Sequence, residues 1–322
     1  MKTKSRLDEQ SAKAMLLALV HSAVWAIGMA CLPPVSAQPA VVPKAAMAPE
    51  FRLRGDRVTL PFVMVREFPF VEGSVEGVQG KFMLDTGLES ALAINDRRVA
   101  IDSVAVGSGQ FGSGQKFAVR QAPVVKDLHL PGLAYPRITT VSTQDATQLE
   151  RITPDFIGWL GFYLWEGYAL KLDYRQLQAT FYRGAPAEYL AGEQVIAALP
   201  FSTRKAPQIP VMPVKIGDID ATGVFDTGAY GLLFTDVQSR DRLIDSGMLK
   251  PAGNDKYDLS GLKIGDTSLP DLKGITVQTV AFPAAEQTGL NDKRVLILGY
   301  AFLNNYKTVW DYPGKTMYLL QK

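Results

Sequence analysis

The segment Phe82-Met83-Leu84-Asp85-Thr86-Gly87 is an apolar run that ends in a carboxylate, a hydroxyl and a glycine, and the chain writes it twice. The second copy is Gly223-Val224-Phe225-Asp226-Thr227-Gly228. One Asp-Thr-Gly triplet is ordinary turn chemistry and arises by chance about once in a few thousand positions. Two copies, each closing an apolar strand pattern, constrain the fold far more. Their surroundings repeat too. Leu60-Pro61-Phe62 precedes the first triplet and Leu199-Pro200-Phe201 the second. Trp159-Leu160-Gly161 and Ile297-Leu298-Gly299 follow them, and an Asp-Tyr pair (Asp173-Tyr174, Asp311-Tyr312) stands twelve residues beyond each of those glycines. The offset is 141 residues between the triplets and 138 between the later glycines, a slippage that loops absorb.

A repeat this long excludes a solenoid, whose units are far shorter. It predicts two homologous lobes related by a pseudo-twofold axis, the intrachain form of an isologous dimer. Short apolar runs punctuated by the 28 Gly and 20 Pro predict a mainly β architecture, with strands over Arg57–Val65, Gly80–Leu84, Ala118–Val125, Ile138–Ser142, Tyr168–Asp173, Gln178–Tyr182, Pro210–Ile216 and Met317–Leu320. Helix is expected only over Thr235–Ser246 and as single turns at Phe162–Trp165 and Ala301–Asn304.

The N-terminus is set apart from this pattern. Lys2, Lys4, Arg6 and Lys13 precede an apolar run from Ala14 to Leu32, and Val35-Ser36-Ala37 is a small-residue cleavage pattern. Residues 1–37 read as a secretory signal peptide, with a retained membrane anchor over residues 14–32 as the alternative. Lipid attachment at Cys31 is a weaker option, because Gly28 stands where such sites carry leucine. Residues 38–56 form a Pro- and Ala-rich linker, with order expected to begin near Phe51 or Arg57. The lobes are then 57–190 and 191–322, and the protein is exported, periplasmic or secreted.

Cleavage after Ala37 leaves 30 basic and 30 acidic residues, a balance that argues against a nucleic-acid partner. It also removes the sole cysteine and one of two histidines. Cysteine nucleophiles and histidine-rich zinc sites are excluded by inventory. The remaining histidine, His129, lies in an alternating segment and reads as a surface strand residue. Carboxylates are left to do any hydrolytic work.

Two carboxylates brought together cannot both ionise near neutral pH; they share a proton. Such a pair can polarise a water and protonate a leaving amine. Gly87 and Gly228 allow close backbone approach, and the Thr86 and Thr227 hydroxyls can bond across the junction between lobes.

With its paired triplets, each followed downstream by an apolar-apolar-Gly segment, the chain resembles the aspartic peptidases. It is most similar to the retropepsin-like branch, here duplicated as in two-lobed pepsin-type enzymes. The resemblance covers roughly Arg57 to Leu320 and implies two closed-barrel lobes. It implies Asp85 and Asp226 as the catalytic dyad, held by Thr86, Gly87, Thr227 and Gly228, with no metal or organic cofactor. Trp159-Leu160-Gly161 and Ile297-Leu298-Gly299 are then the buried strands beside each catalytic loop. The family commonly has Ser, Thr or Ala after the triplet. Ala229 fits, whereas Leu88 departs and puts a bulky side chain where it can crowd the site. Neither residue offers a hydroxyl to the carboxylates. Losing such bonds raises a carboxyl pKa, so the expected pH optimum is nearer neutral than in pepsin-like enzymes, not below about pH 3.

The glycine-rich stretch Val106–Gln115 lies where a retropepsin-like flap falls, with Gly107, Gly109, Phe111 and Gly112 as candidate substrate-covering residues; a plain surface turn is the alternative. The matching stretch Gly247–Leu259 is polar and poorer in glycine. Tyr230 is a candidate subsite residue, whereas Trp159, Phe162, Tyr163 and Trp165 read as core. Asp173 and Asp311 read as strand-to-turn residues. The expected function is endoproteolysis of extended peptides by a monomer; the alternative is an inactive two-lobed peptide-binding protein of the same fold.

Overall fold

The computed structural model describes residues 50–110 and 115–322. The proposed signal segment, the linker up to residue 49, and the flap-tip candidates Phe111 and Gly112 lie outside the described residues. Among the described residues the first buried side chain is that of Phe51, the earlier of the two expected starts. Phe51 and Leu53 are buried in the core, and Tyr168 Oη donates to the Leu53 and Gly55 carbonyls. The last residues of the 38–56 stretch therefore belong to the folded body.

The fold is mainly β, with curled sheets that include a half-barrel. Strand β1 (Arg57–Pro61) opens it. An eight-stranded sheet follows: β2 (Val63–Val65), β3 (Phe68–Val75), β4 (Val78–Leu84), β5 (Leu92–Asn95), β6 (Val104–Gln110), β7 (Lys116–Leu130), β8 (Leu133–Gln144) and β9 (Phe156–Leu160). Then come β10 (Ala169–Asp173), β11 (Gln178–Tyr182) and β12 (Val195–Pro200). A nine-stranded sheet is next: β13 (Val211–Ile216), β14 (Ile219–Phe225), β15 (Leu232–Phe234), β16 (Leu249–Gly253), β17 (Lys256–Leu259), β18 (Leu262–Ile264), β19 (Thr267–Ser268), β20 (Leu272–Gln278) and β21 (Val295–Leu298). Strands β22 (Lys307–Asp311) and β23 (Thr316–Leu320) close the chain.

The expected strand Arg57–Val65 is broken at Phe62, whose amide donates to the Leu177 carbonyl while its ring is buried. The expected longer helix is Val237–Asp245, started by Asp236, whose carboxylate caps the Ser239 amide at 2.7 Å. Among the described residues no helix is long and apolar enough to cross a membrane.

Seven strands of each large sheet follow the same order. In the first sheet it is β3-β4-β9-β5-β8-β7-β6, and in the second β13-β14-β21-β15-β20-β17-β16. Every step has the same sense, including the parallel pairs β4–β9 and β14–β21. These pairs matter most. Each strand that carries a triplet is a central strand with both faces covered, which is why it reads as a continuous apolar run and not as an alternation. Phe82 and Leu84 face the main core and Met83 a second cluster with Phe70, Phe156 and Trp159. Phe225 and Val224 divide between clusters in the same way.

The third sheet has the order β1-β11-β10-β22-β23-β12. It takes three strands from each side of residue 190 and joins them at β10–β22, where Leu170 pairs with Trp310. Lys307 and Lys171 both bind Glu193 along this seam, at 2.9 and 2.6 Å, and Lys171 Nζ also donates to the Tyr189 carbonyl.

Candidate active site

Strands β4 and β14 stop at Asp85 and Asp226, and each aspartate amide donates to the parallel neighbour, Asp85 to the Leu160 carbonyl and Asp226 to that of Leu298. Beyond those strands Gly161 and Gly299 press against the loops that carry the triplets. A Cβ on Gly161 would collide with the Ser90 and Leu88 carbonyls, and one on Gly299 with that of Ala229. Glycine is required at both places because backbone meets backbone.

The two triplets interlock. The Thr86 amide donates to Thr227 Oγ1 at 2.9 Å, and the Thr227 amide donates to Thr86 Oγ1 at 3.0 Å. The Thr227 hydroxyl donates onward to the Leu84 carbonyl at 2.7 Å. Both threonines are buried, at 0% and 1% exposure, so these bonds have no water to compete with them. Residues 141 apart in sequence are thus locked face to face.

Their aspartates converge as a result. A methyl placed on Gly87 would stand 2.9 Å from both carboxyl oxygens of Asp226, and one on Gly228 would stand 2.7 Å from Asp85 Oδ1. The two carboxyl groups are close enough for each to alter the other's proton affinity. The Gly87 amide donates to Asp85 Oδ1 and the Gly228 amide to Asp226 Oδ1, each at 2.8 Å. Burial pushes the proton affinity of both carboxyls above the ordinary range, and repulsion from Asp226 adds to it at Asp85. The glycine amides oppose that shift without cancelling it. The pair therefore keeps a proton to higher pH than separate, solvated carboxyls would.

Leu88 does not crowd this point. Its side chain packs against the cluster of Met83, Ala93 and Trp159, and its amide is turned back on Asp85. Trp159, Phe162, Tyr163 and Trp165 are buried core residues, and the His129 side chain is exposed on β7. Asp173 and Asp311 cap turns, accepting from the Arg175 and Gln176 amides and from the Gly314 amide. Tyr230 is partly exposed, donates to the Lys273 carbonyl at 2.9 Å and lies beside Tyr300. Gly107 and Gly109 stand on β6, paired with Val119 and Phe117 of β7.

Two tyrosines flank the dyad that sequence reasoning missed. Tyr174 and Tyr312 are buried, and burial near the aspartates raises both phenol pKa values. Each ring packs on the phenylalanine of its own Leu-Pro-Phe segment, Phe62 or Phe201, and on the residue after the glycine of the other half, Tyr300 or Phe162. The signal was present in the repeat as the second residue of each Asp-Tyr pair. Gln208 was also missed; its Nε2 donates to the Gly87 carbonyl at 3.1 Å. Among the described residues no group of three His, Cys, Asp or Glu side chains is placed to hold a metal ion. No protein-family model matches the chain, and no curated protein matches it.

Proposed function

We propose that this chain is an exported aspartic-type endopeptidase of the retropepsin/pepsin-like kind, with two homologous lobes over residues 57–190 and 191–322. One observation carries the reading: the reciprocal Thr86–Thr227 bonds hold Asp85 and Asp226 close together. The shared strand order of the two large sheets and the equal division of the third support the duplication.

The mechanism follows from one proton on two carboxyls. A water bound between them gives a proton to the ionised carboxylate as its oxygen attacks the peptide carbonyl carbon. The protonated carboxyl gives its proton to the carbonyl oxygen, forming a neutral gem-diol. Collapse of the diol breaks the C–N bond; its hydroxyl proton goes to one carboxylate, and the other carboxyl delivers a proton to the leaving nitrogen. The dyad ends with the one proton it began with. No metal or organic cofactor takes part. Raised proton affinity in both carboxyls supports an optimum displaced toward neutral pH, because both limbs of a bell-shaped profile move upward together.

The partner is an extended peptide or protein, bound along strand edges by main-chain hydrogen bonds, with nucleic acid and membrane playing no part in the cleavage. The β6–β7 hairpin, with Gly107 and Gly109, serves as the cover, and Tyr230 lines a subsite. One chain supplies both aspartates, so a monomer suffices. Incubating the purified protein with the oxidised insulin B chain tests the proposal. Cleavage by the wild type, lost in folded Asp85→Asn and Asp226→Asn, is the expected result. Folded wild type that leaves the peptide intact at every pH overturns catalysis in favour of peptide binding alone.

A further inference from the structure

Ala206-Pro207-Gln208-Ile209-Pro210 leads into β13 between two φ-restricted prolines. The Ile209 amide donates to the Ala206 carbonyl at 3.2 Å, and this turn drives Gln208 inward until only 6% of it is exposed. Its backbone carbonyl accepts from Tyr312 Oη at 3.1 Å, and its side-chain Nε2 donates to the Gly87 carbonyl. A carbonyl can only accept, so the amide orientation is fixed and Oε1 is left buried without a partner. Such an acceptor lowers stability. Methionine, of similar volume, would fill the space without that cost. The N–H on Gly87 is what a glutamine adds.

The Gly87 carbonyl and the Leu88 amide belong to one peptide group. That amide points back at Asp85, reaching its carbonyl at 3.3 Å, and the amide of Gly87 itself donates to the Asp85 carboxyl at 2.8 Å. A donor on the oxygen side of a peptide strengthens its N–H as a donor in turn. A relay thus runs from Gln208 through the Gly87–Leu88 peptide to Asp85. The other triplet has no counterpart: no side chain donates to the Gly228 carbonyl among the described residues, and Tyr174, the counterpart of Tyr312, has a buried hydroxyl without a partner. By the triplet offset, the position matching Gln208 is Glu67, in the turn between β2 and β3.

We propose that Gln208 is a positioning residue that acts through the Gly87–Leu88 peptide on Asp85 and makes the two aspartates unequal. This rests on the dyad reading given above. The relay favours the ionised form of Asp85, so removing it makes the pair hold its proton to higher pH. Apart from each other, the titratable groups facing the dyad are the Tyr174 and Tyr312 phenols, which burial keeps neutral across the carboxyl range; Tyr300 packs behind Tyr174.

Carbon-13 NMR of aspartate-labelled protein reads the dyad without substrate, and hydrolysis of the oxidised insulin B chain is followed beside it from about pH 3 to about pH 8. Gln208→Met keeps the volume and removes the donor. The expected result is a dyad titration displaced to higher pH, the acid limb of kcat displaced with it, kcat lower by about threefold to tenfold near the acid end, and KM little changed. Gln208→Glu donates to Gly87 only while its own carboxyl is protonated, so it matches wild type at the acid end alone; this variant carries the test if the methionine variant fails to fold. Dyad titrations coincident with wild type in the folded variants overturn the proposal, whether or not the protein cleaves peptides. A displaced titration in a protein that cleaves nothing supports the relay and removes the peptidase instead.

Discussion

The two triplet-bearing sheets share seven strands in the same order and differ at their margins. The first curls until β3 meets β7 at the Ser74–His129 pair, whereas the second has no pairing that returns to an earlier strand among the described residues. The hairpin after the first triplet is long, with 7 residues in β6 and 15 in β7. Its counterpart has 5 in β16 and 4 in β17, carries Pro251, and turns at Asn254 and Asp255, both with φ in the left-handed region. The difference teaches where constraint lies. Strands covered on both faces, and the backbone contacts at Gly161 and Gly299, hold the aspartates and are the same in both sheets. The hairpins differ between the two sheets, and among the described residues neither bonds to the aspartates.

The sharpest way to break the comparison is at the aspartates. Asp85→Asn and Asp226→Asn should each lower kcat/KM by about a thousandfold or more. A variant that retains near-wild-type turnover would show that one sheet alone carries the chemistry. Close behind come the glycines whose added methyl would press on the opposite carboxyl. Gly228→Ala, at 2.7 Å, should cost at least as much activity as Gly87→Ala, at 2.9 Å, with circular dichroism unchanged in both. Activity close to wild type in Gly228→Ala would mean that the loops can part without penalty.

The interlock itself is unequal. Thr227→Val strands the Thr86 amide and the Leu84 carbonyl and should cost about 2–4 kcal/mol in urea unfolding, whereas Thr86→Val strands the Thr227 amide and should cost about 1–3 kcal/mol. The reverse ranking would locate the main lock on the other hydroxyl. The smallest effect concerns pH. Both aspartates bind a proton more tightly when folded, so their contribution to stability is full below the unfolded value of about 3.9 and is lost as pH rises through the folded values. Asp226→Asn should therefore melt higher than wild type above neutral pH, by roughly a few degrees, with the gain vanishing at acid pH. A gain that grows as pH falls would reverse the sign assigned here.

Much of this site was legible because its geometry is written locally. Phe82–Leu84 and Gly223–Phe225 announce covered strands, and a carboxylate followed by Thr-Gly announces where they end. The helix Val237–Asp245 was legible too, as the stretch Thr235–Ser246, though its cap at Asp236 was not singled out. What escaped depended on contacts with no local signature. Gln208 touches Gly87 from 121 residues away, from a segment with no motif that points to the triplet. Tyr174 and Tyr312 stood in the repeat, but their burial beside the Asp85–Asp226 pair depends on long-range packing that the local sequence does not encode. The break at Phe62 follows from a bond to Leu177 that no alternation pattern encodes. The return of β3 to β7 rests on one backbone pair, also invisible in side-chain order.

The junction of β10 with β22 sets how separable the molecule is. Cut near residue 190, the first fragment would lose the partner of Ala169–Leu172 and present a bare ladder of amides and carbonyls flanked by Leu170 and Leu172. A second copy of that fragment offers the same ladder in the orientation needed to fill it, and would bring a second Asp-Thr-Gly with it. In the single polypeptide β22 fills that edge from within the chain, so its closure carries no concentration dependence of the kind free fragments would face.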